Sequence, residues 1–121
     1  LITDYVDLVI SLMLNPKDQD TLRLLFHEQN QNPFHDYPIT QIICKEAEHI
    51  LKTLLLAWWN SDDIKHAALI SRLINGSLIT LGEHPMLIRR SIGIADDSSI
   101  PDSTTEQIRR FVLSGIESYT P

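Results

Sequence analysis

One cysteine, Cys44, stands in 121 residues. It excludes an internal disulfide framework and a cysteine-rich zinc site. A lone thiol fits a reducing compartment, and the expected location is the cytoplasm. Glycine is scarce as well. The four present, at 76, 82, 93 and 115, lie too far apart to build a phosphate-cradling loop. None of the patterns G-x-S-x-G, H-E-x-x-H and C-x-x-C occurs, and each is what its chemistry needs at that spacing. Leu113-Ser-Gly115 lacks the rest of a nucleophile elbow. The expectation is therefore a protein that is not an enzyme and needs no cofactor. Long hydrophobic runs are missing too. The longest, Leu54 to Trp59, falls far short of the about 20 residues of a membrane span, so no membrane partner is expected. The opening segment, Leu1 to Leu14, is apolar but carries Asp4 and Asp7 and no basic residue, unlike a signal peptide. Basic charge is in deficit: 10 Lys and Arg face 16 Asp and Glu, for a net charge of −6. That argues against nucleic acid as a direct partner, because phosphate binding rests on Lys and Arg displacing counterions. The charges are also mixed along the chain, so neither half is a basic arm or an acidic tail.

What is present is an ordinary globular composition, 43% hydrophobic and 21% charged, in a length that suits a single domain. The chain opens on Leu1 rather than methionine, as a piece of a longer protein would. The hydrophobic period is helical throughout, and no segment alternates like a strand. Helices are expected near 2–14, 17–30, 38–59, 62–82 and 103–119, with a short one over 85–91. Asn15-Pro16 separates the first two, and the Asn- and Pro-rich stretch 30–38 ends the second. In the third, Ile39, Ile43, Ala47, Ile50, Leu51, Leu54, Ala57 and Trp58 fall in one stripe, with Gln41, Lys45, Glu48 and Lys52 opposite. Glu48 and Lys52 have the i,i+4 spacing of a helical ion pair. Asn60-Ser-Asp-Asp63 reads as a turn and cap cluster. Ser103-Thr-Thr-Glu106 has the form of a capping box, with Ser103 as N-cap. The class is all-α, an antiparallel bundle of five to six helices.

The helix over 62–82 differs from the rest. Apolar residues cover most of its circumference, and only a strip through Lys65, Arg72 and Gly76 suits water. Such a helix is buried on more than one side. One small domain covers one side, and a second copy of the chain is the simplest cover for the other. Ala67, Ala68, Ser71, Gly76 and Ser77 would permit close approach of helices there.

Few residues carry chemistry. Glu46-x-x-His49 matches half of a di-iron carboxylate motif, but no second copy follows. His27-Glu28 and His35-Asp36 are adjacent pairs, which point apart on a helix. Cys44 lacks a positive cluster and reads as a structural thiol. Trp58 and Trp59 are about 100° apart on a helix, so one is expected in the core and the other at an interface or pocket wall.

The succession Tyr5-Val-Asp-Leu-Val-Ile-Ser-Leu-Met-Leu-Asn-Pro16, Leu24-Leu-Phe-His-Glu28 and the Pro33 break resembles the opening of the C-terminal domain of TetR-family transcriptional regulators. So do the long helix over 39–59 and the double-faced helix after it. His84-Pro-Met-Leu-Ile-Arg-Arg-Ser-Ile-Gly93 and Ile108-Arg-Arg-Phe-Val-Leu-Ser-Gly-Ile116 resemble two late stretches of one subgroup of that family. His84-Pro85 stands where Arg-Pro is commoner. The helix-turn-helix that precedes this domain in the family has no counterpart in residues 1–121.

The resemblance implies the regulatory domain of a bacterial repressor, spanning the whole chain. It would form a homodimer and enclose an apolar cavity for a small effector, and DNA would be contacted only through an N-terminal domain absent from this chain. Effector binding would bias the spacing of the DNA-reading heads. The effector site is expected between the first four helices, with Phe26, Ile43, Ala47, Ile50, Leu54 and Ile74 as apolar walls. His27, His66 and Asn75 are the polar groups that would orient a ligand. The dimer interface is expected as a four-helix bundle, two helices from each copy, including Ala68, Ser71, Leu78, Phe111 and Gly115. Two rival classes are a carboxylate-bundle metal enzyme and a helical protein-interaction adaptor.

Overall fold

The computed structural model describes residues 1–15 and 38–121, with side chains from residue 45 onward in the second stretch. The helix expected over 17–30 and the break after it lie outside the described residues. Within them the chain forms five α-helices and no strand: α1 (Ile2–Leu14), α2 (Pro38–Trp59), α3 (Ile64–Glu83), α4 (Pro85–Ser91) and α5 (Asp102–Ser118). Among the described residues no helix is long and apolar enough to cross a membrane.

α1 presents Ile2, Val6, Ile10, Met13 and Leu14 on one face, the i,i+3/i+4 spacing of a helix that buries a single stripe. It packs on α3, α5 and α2, and α2 and α3 pair along their lengths. Leu51, Leu55 and Trp59 of α2, Ala67, Ile70, Ile74 and Leu78 of α3, and Val112 and Ile116 of α5 complete the core with α1.

The connection from α2 to α3 is as tight as Asn60–Asp63 foretells. Asn60 has φ +50°, a conformation Asn tolerates better than most side chains. The Ser61 amide donates to the Leu56 carbonyl at 3.0 Å and the Asn60 amide to that of Ala57 at 3.2 Å. These two bonds form the Schellman arrangement that closes a helix. Two residues on, the Asp63 carboxylate accepts from the His66 amide at 3.1 Å and caps α3. The end of α4 repeats the device. Gly93 has φ +76°, with Gly93 and Ile94 amides donating to the Arg90 and Arg89 carbonyls. The loop that follows is held by Arg89, which is only 3% exposed. Its guanidinium donates to the carbonyls of Ser98 at 2.7 Å and Pro85 at 2.6 Å.

Two local expectations fail. α5 starts at Asp102, with Pro101 as its N-cap and no side-chain cap. Pro101 sits at φ −61°, ψ 147°, and its carbonyl accepts from the Thr104 and Thr105 amides. The chain is therefore already helical at Ser103, which cannot cap from inside the helix. The buried stripe of α2 is also rotated from the expected one: Leu51, Leu55 and Trp59 are buried, while Ile50, Ala57 and Trp58 are exposed. The stripe that is buried is the one that shares a core with α1, α3 and α5, and burial of Leu51, Leu55 and Trp59 outweighs what the neighbouring Ile50 and Trp58 would gain. In this orientation Glu48 lies beside α3: Arg72, rather than Lys52, pairs with it at 2.7 Å, and Ser71 donates to its carbonyl at 3.3 Å. Of the two tryptophans, Trp59 is core and its Nε1 donates to the Ile116 carbonyl at 3.1 Å, whereas Trp58 is 60% exposed.

Candidate functional site

α3 has two working faces. Its inner face brings Asn75, 8% exposed, to the Tyr5 phenol of α1. Tyr5 Oη donates to Asn75 Oδ1 at 2.8 Å. The Ala47 carbonyl of α2, 3.4 Å away, is a second acceptor for the same proton. Burial pushes the Tyr5 phenol above its ordinary value, partly offset by the Asn75 carboxamide, whose N–H can turn to the phenolate. The three helices α1, α2 and α3 thus converge on one small polar cluster in otherwise apolar packing. Such a cluster fixes how the three helices sit against one another. Among the described residues nothing accepts from the Asn75 amide nitrogen.

The outer face of α3 meets α5 across an open groove of about 700 Å³. Leu73, Ile74 and Ser77 form one wall and Phe111, Ser114 and Gly115 the other. Phe111 is 74% exposed, and Leu69 and Leu73 are exposed as well. Arg110 stands at the rim. The C-terminal end of α5 is tied down by two rings: Trp59 holds the Ile116 carbonyl, and His66 Nε2 lies 2.6 Å from the Tyr119 carbonyl. The two rings pack at 5.2 Å between centroids.

Of the residues expected at an effector site, Ala47 and Asn75 come together, and Leu54 is half-buried against the core nearby in sequence. His66 does not join them. It lies nine residues before Asn75, about 13 Å along α3, and serves the α5 terminus. Ile74 faces the outer groove, and Ile50 is 46% exposed. Phe26, His27 and the side chain of Ile43 lie outside the described residues. Tyr5 was missed, because a tyrosine on an apolar face counts toward the helical period whatever its hydroxyl does. Of the expected interface residues, Phe111 and Gly115 line the groove and Ala68 is exposed. Ser71 and Leu78 are instead fully buried within the protomer. Both sit on the side of α3 that packs inward, where Ser71 bonds the Glu48 carbonyl. Leu69, Leu73 and Arg110 are exposed on the outer surface beside Ser77, and the i,i+4 spacing of 69 and 73 with Ser77 was the signal that could have found the two leucines.

Glu46 and His49 are both exposed on α2. Among the described residues no three His, Cys, Asp or Glu side chains gather as metal ligands would.

No family model matches this chain. Nor does any curated protein or solved structure.

Proposed function

We propose that this chain is the effector-sensing and homodimerising domain of a TetR-like transcriptional regulator, whose DNA contacts belong to a separate N-terminal domain. The double-faced α3 carries this reading. Its inner face holds Asn75 against Tyr5, while its outer face leaves Leu69 and Leu73 uncovered, Leu73 across the groove from the exposed Phe111. An apolar patch of this kind on a small domain marks an interaction surface. A single rigid helix then borders both a small-molecule site and a dimer interface, the arrangement a coupling free energy between two sites requires. The effector is a small, largely apolar molecule with a hydrogen-bonding group for Asn75 and Tyr5.

Two measurements on the whole chain test this. Sedimentation velocity should show a dimer at micromolar concentration. Nile red, an uncharged apolar probe, should gain fluorescence on binding the inner site, and Ala47→Trp should abolish that gain while the dimer persists. A variant that fails to fold would mean that the core is already full at Ala47. Asn75→Leu, which keeps the volume, then decides: unchanged Nile red binding would exclude this site. A stable monomer would favour the adaptor class, since the same groove fits a helix from a different protein.

A further inference from the structure

The face of α5 along the groove is nearly its own complement. Phe111 projects into solvent, and one turn later Gly115 leaves a hollow. A Cβ built there would meet nothing within 4 Å. Two turns separate a second pair, Arg110 and Glu117. Both side chains are exposed, both lie on the same flank of the helix, and among the described residues neither has an ionic partner. The knob and hollow are centred on Leu113. The cation and anion are centred half a residue further on. Two copies of α5 crossing antiparallel about a two-fold axis at that point would therefore bring unlike groups together twice. A parallel pairing would instead set Phe111 on Phe111 and Arg110 on Arg110, and like charges opposite one another are repulsive.

We infer that the occupant of the groove is the α5 helix of a second copy, antiparallel, with the two-fold axis at Leu113–Ser114. Phe111 sits over the partner's Gly115, and Arg110 pairs with the partner's Glu117. This rests on the homodimer proposed above and adds its register and its selectivity. The interface is isologous, each contact occurring twice. The phenyl ring enters the hollow and covers Leu73 and Ser77 on the opposite wall. The charge pairs act chiefly by excluding other registers and other partners.

Charge reversal on the full 121-residue chain tests the register. Arg110→Glu alone places a glutamate against the partner's Glu117 in both symmetry-related pairs, and Glu117→Arg alone sets arginine against arginine in the same way. Each should weaken self-association by about tenfold or more in sedimentation equilibrium at low salt. An equimolar mixture of the two variants should recover a dimer within about threefold of wild type, because each then supplies the charge the other lacks. Both positions are exposed, and unchanged helical circular dichroism would verify folding. A monomeric wild type removes dimer and register together. A dimeric wild type whose single variants associate as well as it does, or whose mixture fails to recover, leaves the dimer standing and overturns the register alone.

Discussion

Tyr5 is the polar point of contact between α1 and the two helices it covers. Its phenol is neutral in the fold and its pKa is raised by burial. A group whose folded value lies above its unfolded value, here about 10, contributes its full stability below that pH. It loses that contribution as the pH rises through the folded value. The urea midpoint should therefore fall on the alkaline side, and Tyr5→Phe should flatten that fall; a variant that declines as steeply as wild type would point to other groups. Tyr5 illustrates what sequence leaves dark. Periodicity placed its ring on the buried face of α1, but the partner of its hydroxyl lies 70 residues away, where no local pattern reaches. Asn75, by contrast, was legible, because a lone carboxamide amid Ile70, Ile74 and Leu78 has to be satisfied somewhere.

At the level of the helix, what the chain needs locally was written locally. The C-terminal end of α2 and the start of α3 follow from Asn60 and Asp63, whose side chains suit those backbone positions whatever surrounds them. The rotation of α2 was not legible, because Ile50 and Leu54 beside the true stripe are as apolar as Leu51 and Leu55, and the choice between them rests on packing against helices distant in sequence. The capping box at Ser103 failed for a comparable reason: Pro101 starts the helix first. These two ends make a paired prediction. Asp63→Ala should cost about 1 kcal/mol of unfolding free energy in urea titration, the usual loss for a working cap. Ser103→Ala should change it by less than about 0.5 kcal/mol, as a surface substitution does. Equal losses at the two positions would contradict the assigned helix starts.

For the molecule as a whole, the all-helical class and the surplus apolar face of α3 could be inferred from the pattern of residues. The division of that face could not, since burial of Ser71 and exposure of Leu73 depend on which side α2 approaches. The net charge of −6 carries a prediction of its own. The isolated chain should give no change in fluorescence anisotropy with duplex DNA at physiological salt, since few phosphates could be neutralised. Tight binding that weakens steeply with salt would overturn the assignment of DNA contacts to a separate domain.

The pairing of α1 with α5 has a bearing on synthesis. Asp7 meets Arg109, 102 positions away in sequence, at 2.7 Å, and Val6 and Ile10 share a core with Val112 and Ile116. A ribosome adding about 5–20 residues per second releases α5 roughly 5–20 s after α1. Throughout that interval the nascent chain holds an amphipathic helix whose last covering surface does not yet exist. Sequence-distant closure of this kind slows folding, so α1, made before the four other described helices, is among the last of them to be sealed, and a chaperone has its longest opportunity there.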